Sequence, residues 1–127
     1  MPEAAVDHIY DYPKGYIEDI LKSVKTIAMV GASGDKTKFS YGVLRVLHET
    51  GYQMLPVNPN PSIKEIRGLK VFHSLKEIDK PVDMVQVFRR KEELLSVAKE
   101  AIEIKAKVLW GQIAVSYTHL TLPTMLW

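Results

Sequence analysis

The chain has 127 residues and a formal net charge of +2, and 46% of its residues are hydrophobic and 25% charged. These values are typical of one globular domain with an adequate core and argue against a disordered chain or a coiled coil. The near balance of 17 basic and 15 acidic residues argues against a nucleic-acid partner. The absence of cysteine excludes disulfides, thiolate nucleophiles and cysteine metal sites.

The N-terminal residues show no targeting or membrane-spanning pattern. MPEAAVDHIYDYPKG lacks a basic region followed by an apolar one, and no apolar run in the chain approaches the ~20 residues that a membrane helix needs. We therefore expect a cytoplasmic protein without a membrane partner. Residues 1–14 lack clear periodicity and are predicted to form an arm that lies over the domain.

The first predicted helix leads into a buried strand and then into a small-residue loop. Apolar residues recur at helical spacing over Tyr16–Val24, whereas Ile27–Val30 is a continuous apolar run, typical of a strand covered on both faces. The loop GASGDKTKF follows, and Ser40 is predicted to cap a second helix because its hydroxyl can satisfy an orphaned N–H. A helix N-terminus presents unpaired N–H groups and the positive end of the helix dipole. This stretch therefore predicts a site for a phosphate-carrying ligand.

The rest of the chain alternates strands with helices, and Gly51 is placed to end the second helix. The further predictions are a strand at Tyr52–Val57, irregular chain or a helical turn at Ser62–Leu69, a short edge strand at Lys70–Phe72, a brief helix capped by Ser74, strands at Val82–Phe88 and Lys107–Ile113, and between these last two a helix through Lys105. This alternation predicts an α/β fold with a doubly wound parallel sheet, because parallel neighbours need helical crossovers.

In such a sheet the ligand binds outside the carboxyl ends of the strands. A nicotinamide dinucleotide is the obvious candidate, but the glycine spacing of its fingerprint is absent, and Asn58 stands where an acidic residue would bind the ribose. The long loop with Lys36 and Lys38 suits a ligand with more phosphate charge. Arg89 and Arg90 stand at the start of a predicted helix, where cations oppose the dipole unless an anion lies nearby.

Six stretches of the chain, taken in order, resemble the small CoA-binding domain proteins. They are IAMVGAS, SYGVLRVLHETGY, LPVNPN, GLKVFHSLKEI, PVDMVQVFRR and AIEIKAKVLWGQ, and the resemblance runs from about Ile17 to about Ile113. The family's Rossmann-like domain is also found in the α subunit of succinyl-CoA synthetase. The resemblance implies a stand-alone module that binds coenzyme A, usually without a demonstrated reaction.

The resemblance also implies where each part of the ligand would lie. The pyrophosphate would lie near the loop after the first strand and the start of the second helix, and the adenosine near the ends of the next two strong strands. The candidate residues are Gly31, Ala32, Ser33, Lys36, Lys38, Ser40, Tyr41 and Gly42 for the pyrophosphate, Asn58, Pro59, Phe88, Arg89 and Arg90 for the adenosine, and Trp110 and Gln112 to complete the site. One of the two lysines, together with Arg89, would supply positive charge.

No catalytic or metal site is expected. The four histidines form no i, i+4 pair and have no acid at metal-ligand spacing. The nucleophile elbow G-x-S-x-G and the P-loop motif G-K-[ST] are absent, and no histidine is predicted beside Ser33 to act as its base.

The C-terminus departs from the family pattern. From Val115 to Trp127 there is no Lys, Arg, Asp or Glu and no helical stripe, where the family would continue with a helix and a last strand. We therefore predict a CoA-binding domain over residues 15–114, followed by a non-native tail over residues 115–127. One edge of the sheet would then be uncovered, and a homodimer through that edge is included among the expected partners.

The prediction is a cytoplasmic protein that binds CoA or acyl-CoA and catalyses no reaction of its own. Two alternatives stand beside it. The chain could be a fragment or relative of an ADP-forming acyl-CoA synthetase, which would need a catalytic histidine and partner domains. It could also be a NAD-binding redox sensor or oxidoreductase, which Asn58 and the glycine spacing disfavour.

Overall fold

The computed structural model describes residues 16–111 and 124–126. In chain order the elements are helix α1 (Tyr16–Ser23), strand β1 (Thr26–Val30), helix α2 (Phe39–Thr50), strands β2 (Gln53–Val57), β3 (Glu65–Ile66) and β4 (Leu69–Lys70), a 3₁₀ turn (Leu75–Glu77), strand β5 (Met84–Val87), helix α3 (Lys91–Glu103), and strands β6 (Val108–Gly111) and β7 (Thr124–Leu126). The predicted N-terminal arm, Gln112 and most of the predicted tail lie outside the described residues.

The main sheet has five strands in the order β2-β1-β5-β6-β7, and each pairs in parallel with its neighbour. From β1 the chain moves outward to β2 and then returns to pair β5 with the opposite side of β1. The strand order therefore reverses between β1 and β5. The predicted α/β fold with a doubly wound parallel sheet is confirmed.

Helices cover both faces of the sheet, and the central strands are therefore buried on both sides. Every residue of β1 and β5 is buried, as expected for strands at the centre of a parallel sheet. On one face α1 and α2 pack against Met29 and Met84. On the other face α3 and the 3₁₀ turn pack against Val85 and Leu109. We refer to these as the α2 face and the α3 face.

Helix α2 begins earlier than predicted. Its N-cap is Lys38, in an extended conformation and with no side-chain capping bond, whereas Ser40 lies in the first turn and is buried. The prediction that Ser40 caps the helix is therefore wrong, because the helix already includes Phe39. At the other end Gly51 has φ +115° and donates its N–H to the last carbonyls of α2, which confirms it as the C-cap.

A hairpin lies between β2 and β5, where irregular chain or a helical turn was predicted. Strands β3 and β4 pair antiparallel and are joined by Arg67 and Gly68, which both have positive φ, 53° and 79°. Arginine is not a residue that marks such a turn, so the prediction for Ser62–Leu69 is wrong. After the hairpin, Phe72 forms a single parallel bridge with Val57 in place of the predicted short strand.

Strand β7 pairs with β6 on the side where an uncovered edge was expected. The five-stranded sheet therefore includes three residues of the predicted tail, and the non-native origin of that tail stays a prediction. Within the described part of the chain, no helix combines the length and the apolar character required to cross a membrane.

Candidate ligand site at the carboxyl edge of the sheet

The carboxyl ends of β1 and β5 meet where the strand order reverses. Gly31 follows β1 with φ +93°, and a Cβ at this position would lie 2.5 Å from the carbonyl oxygen of Phe88 and 2.9 Å from Cδ of Arg89. The N–H of Phe88 in turn donates to the carbonyl of Val30 at 2.8 Å. Only glycine fits here without displacing backbone. The loops after β1 and β5 thus meet at the crevice where open α/β sheets bind their ligands.

Two N–H groups tie the loop after β1 to β2. Gly31 and Ala32 both donate to the carbonyl of Val57, at 3.0 and 3.3 Å. Both N–H groups are therefore already hydrogen-bonded within the protein, and the predicted contacts of Gly31 and Ala32 with pyrophosphate stay predictions. Beyond them, the N–H groups of Ser33 and Gly34 donate to no acceptor among the described residues. In the folded chain Gly31 and Ala32 contribute small size and close packing.

Asn58 holds the same loop from the end of β2. Its Nδ2 donates to the carbonyl of Ala32 at 2.8 Å, and its Oδ1 accepts the N–H of Asn60 at 2.9 Å. The side chain therefore joins the loops after β1 and β2, and Pro59 follows it in an exposed position. The predicted contacts of Asn58 and Pro59 with adenosine stay predictions.

The loop between β1 and α2 is organised around Asp35. Its N–H donates to the Ser33 hydroxyl at 3.0 Å, and its Oδ1 accepts the Thr37 hydroxyl and N–H at 2.7 and 2.9 Å. These bonds from Thr37, with the charge of Lys38, lower the pKa of the Asp35 carboxyl against a small opposing effect of desolvation. Lys36 and Lys38 are both exposed. The loop therefore keeps two ammonium groups available to a ligand.

The two helices that start at this edge differ in charge. The first turn of α2 contains no acidic residue, and the N–H groups of Phe39 and Ser40 donate to no described residue. The first turn of α3 contains Glu92 and Glu93. Because carboxylates already occupy the positive end of α3, the start of α2 is the better place for an added anion.

Glu93 is the anion that balances the two arginines. Arg89 donates from Nη2 to Oε1 of Glu93 at 2.7 Å, and Nε of Arg90 lies 3.6 Å from Oε2 of the same carboxylate. The hydrogen bond from Arg89 is the main cause that lowers the pKa of Glu93. The charge conflict seen in the sequence is therefore relieved within the protein, and it is not by itself a sign of an anionic ligand.

A groove of about 280 Å³ opens on the α3 face of the same edge. It is lined by Val30, Val57 and Pro59 at the strand ends, by His73 on one wall and by Arg89 and Glu93 on the other. Sequence reasoning placed no histidine here and so missed His73. The bridge between Phe72 and Val57 brings His73 to the groove, and nothing in the local pattern signals that pairing. Its Nε2 lies 3.2 Å from the Ile63 carbonyl.

The remaining predicted residues lie on α2 and β6, and their contacts with a ligand stay predictions. The Tyr41 hydroxyl lies 3.5 Å from Nη1 of Arg67, on the β3–β4 hairpin, and the guanidinium stands 5.9 Å above the tyrosine ring. Gly42 lies one turn into α2, and its N–H is bonded to the Lys38 carbonyl. Trp110 is partly buried on the α2 face of β6, with β5 between it and β1. Among the described residues no cluster of three potential metal ligands occurs.

The fold and the crevice at its strand reversal define the class of this protein as a Rossmann-like α/β domain. Residues 25–121 match the family model described as CoA binding domain. The chain therefore belongs to the CoA-binding domain family.

Relatives of known sequence and structure agree with this assignment. The chain is 46% identical over 99 residues to the uncharacterized protein YneT of Bacillus subtilis (strain 168), covering 78% of this chain and 72% of YneT. It is 31% identical over 99 residues to the acetate–CoA ligase [ADP-forming] II subunit alpha of Pyrococcus furiosus, covering 77% of this chain but only 21% of that subunit. A solved structure of a hypothetical protein from Pyrococcus horikoshii OT3 matches with a TM-score of 0.82 at 28% identity, covering 99% of this chain and 91% of that one. The chain is thus a CoA-binding domain related to the ADP-forming ligase subunits, of which it spans about a fifth.

Proposed function

We propose that this protein binds coenzyme A or an acyl-CoA at the carboxyl edge of its sheet and catalyses no reaction of its own. The observation that carries the proposal is the loop between β1 and α2, where N–H groups that donate to no described residue accompany two exposed lysines and a helix start without acidic residues. Membership of the CoA-binding domain family supports coenzyme A as the ligand.

The pyrophosphate binds at this loop and at the start of α2. Ser33 and Gly34 on one side, and Phe39 and Ser40 on the other, supply N–H groups that donate to no described residue. A phosphate accepts such bonds well, and the helix dipole adds to the attraction. The lysines at positions 36 and 38 neutralise part of the ligand's charge, and Gly31 lets the loops after β1 and β5 pack together beside the site.

The adenosine binds in the groove on the α3 face. A volume of about 280 Å³ lies just below the usual range for a whole small-molecule site, so it suits one part of CoA rather than the entire molecule. Glu92 and Glu93 line the groove, so the groove takes the base, whose amino N–H a carboxylate can accept, and the ribose 3′-phosphate of CoA lies outside it. His73 and Pro59 offer flat surfaces for the ring.

The test is a calorimetric titration of the purified chain with CoA, repeated on the double variant Lys36→Ala/Lys38→Ala. We expect the double variant to bind CoA about tenfold more weakly, because two exposed ammonium–phosphate contacts are lost. Lys99→Ala, which removes an exposed lysine from α3, is the matched control and should leave the affinity unchanged. Equal affinities for the double variant and the native chain would contradict the proposed phosphate site, and no binding of CoA by the native chain would contradict the function itself.

A second candidate function is that of a relative or fragment of an ADP-forming acyl-CoA synthetase. The similarity to the alpha subunit of such a ligase favours it, although this chain spans only about a fifth of that subunit. Incubation of the chain with CoA, acetate and ATP, followed by assay of ADP, separates the two. We expect no ADP from the chain alone, and steady release of ADP would favour the enzyme.

A NAD-binding redox function is the third candidate, and competition tests it. Asn58 directly follows β2, where a dinucleotide site would place an acid, and its amide is occupied by the neighbouring loop. Excess NAD should therefore leave bound CoA in place. Displacement of CoA by NAD at comparable concentration would move the assignment to the redox class.

A further inference from the structure

Gln86 in β5 is a buried polar residue whose acceptor is unused. It lies in register between Met29 of β1 and Trp110 of β6, and only 8% of its surface is exposed. Its Oε1 is fully buried and has no hydrogen-bond partner among the described residues. A buried acceptor without a donor destabilises the folded chain. Leucine or methionine would stabilise this core position better, so the amide is explained more readily if a ligand supplies the hydrogen-bond donor.

The alternation of side chains along β5 decides which face Gln86 occupies. Met84 belongs to the core of the α2 face and Val85 to that of the α3 face, so Gln86 lies on the α2 face. The groove for adenosine is on the opposite face of the sheet. Gln86 therefore cannot serve the same part of the ligand as the groove.

An aromatic pair with one exposed ring stands at the strand end that follows Gln86. Phe88 follows Gln86 by two residues and packs with the core of the α2 face. Its ring centroid lies 6.1 Å from that of Phe39, and Phe39 is 69% exposed. Phe39 is also the first residue of α2, next to the loop proposed to hold the pyrophosphate. An apolar surface thus begins directly beside the phosphate site.

We infer that the pantetheine arm of CoA leaves the pyrophosphate on the α2 face, across Phe39 and Phe88, and that Gln86 accepts a hydrogen bond from one of its amide N–H groups. The inference rests on the proposed CoA-binding function. The two ends of CoA extend from one pyrophosphate, and the groove on the α3 face has room for only one of them. The pantetheine arm carries two amide N–H donors between apolar carbons, which matches a buried acceptor beside aromatic rings. The last torsion of glutamine is broad, so the amide can turn its oxygen toward an entering donor.

The first test compares two ligands on Gln86→Met, a change that nearly conserves volume but removes the acceptor. The ligands are CoA and 3′-phospho-ADP, which lacks the pantetheine arm. We expect the variant to bind CoA about tenfold more weakly and 3′-phospho-ADP with unchanged affinity. We also expect its ligand-free form to unfold at a higher temperature than the native chain, because an unsatisfied buried group is gone.

These outcomes distinguish the inference from the function on which it rests. If the native chain binds CoA and 3′-phospho-ADP but Gln86→Met binds both as well as before, the inference fails and the proposed function stands. A lower unfolding temperature for the ligand-free variant would also overturn the inference, since Gln86 would then have a structural partner. If the native chain binds neither ligand, both the inference about Gln86 and the proposed CoA-binding function are contradicted.

A second pair of variants tests the aromatic surface. Phe39→Ser should weaken CoA binding severalfold and weaken 3′-phospho-ADP binding much less, because it removes the ring beside the pantetheine arm but keeps the backbone N–H at the phosphate site. The control is Val46→Ala, which trims another exposed apolar residue two turns further along α2 and should change neither affinity. Equal losses for the two ligands in Phe39→Ser would contradict the proposed path of the arm.

Discussion

At Gly31 the backbone of one loop lies against the backbone of another, with no room for a side chain between them. The residue meets two separate requirements. Its φ of +93° is unfavourable for any residue with a Cβ, and the Phe88 carbonyl occupies the place where that Cβ would stand. Gly34, three residues later, has neither restriction. The two glycines of one loop should therefore respond differently to the same substitution.

We expect Gly31→Ala to lower the free energy of unfolding by at least about 2 kcal/mol, because the strained φ and the backbone clash act together. Gly34→Ala should change it by no more than about 0.5 kcal/mol, since a Cβ there meets nothing within 4 Å. Urea denaturation of the two variants measures both values. Similar stabilities for the two would argue that the contact between Gly31 and Phe88 does not constrain the fold.

Among the elements, the amino ends of β1, β5 and β6 are joined by Asp83. Its Oδ2 accepts the N–H groups of Lys25 and Thr26 at 2.8 and 3.1 Å. Its backbone carbonyl accepts the N–H groups of Lys107 and Val108, both at 3.0 Å. Burial opposes ionisation of this carboxyl, but the two N–H groups and the charge of Lys107 outweigh it and hold its pKa below the usual range. One residue thus fixes the relative positions of three strands at the edge opposite the proposed ligand site.

Asp83→Ala should reduce the free energy of unfolding by about 2–3 kcal/mol, because two N–H groups lose their acceptor. The unfolding midpoint should fall by about 10 °C or more. Lys107→Ala is the control: the Lys107 side chain is 71% exposed and its Nζ lies 3.5 Å from Oδ1, so its removal should lower the free energy of unfolding by less than about 1 kcal/mol. CoA affinity should be unchanged in both variants. Weaker CoA binding by Asp83→Ala, measured at a temperature where this variant is fully folded, would contradict the view that the amino edge of the sheet does not affect the ligand site at the carboxyl edge.

Local sequence patterns were sufficient to predict most elements and which residues end the strands at the carboxyl edge of the sheet. A strand buried on both faces shows a continuous apolar run, and a helix with one buried face shows apolar residues at helical spacing. They placed Gly31 and Phe88 at one edge, and the two residues are in contact. They failed where a long-range partner decides the outcome. No local pattern reveals that the Val57 carbonyl takes two N–H groups of the loop, or that a bridge at Phe72 brings His73 to the groove.

For the whole molecule, the Asp83 carboxyl makes stability depend on pH in a defined direction. Its pKa is lower in the folded chain than the value of about 3.9 for an unfolded aspartate. The folded state therefore gains stability from the ionised carboxylate above about pH 4 and loses it as the pH falls toward the folded pKa. The pKa values of Asp35 and Glu93 are also lowered, but both carboxylates lie at the surface and should contribute less.

We expect the native chain to lose stability as the pH falls below about 4, and Asp83→Ala to lose less over the same range. Urea denaturation at a series of pH values measures both curves, and Lys107→Ala, which keeps the carboxylate and its two N–H donors but loses the nearby charge, should give an intermediate curve. Parallel curves for the native chain and Asp83→Ala would show that another group governs the acid response.

The attachment of Gly31 and Ala32 to the Val57 carbonyl, together with the Asn58 amide, bears on the entropy of ligand binding. The first part of the loop is already fixed in the ligand-free chain, and the bonds around Asp35 order the next part. A preorganised loop loses little conformational freedom when a ligand arrives, so more of the contact energy appears as affinity. The same bonds limit how far the loop can adapt, which favours ligands that share one shape around the pyrophosphate over ligands that share only its charge.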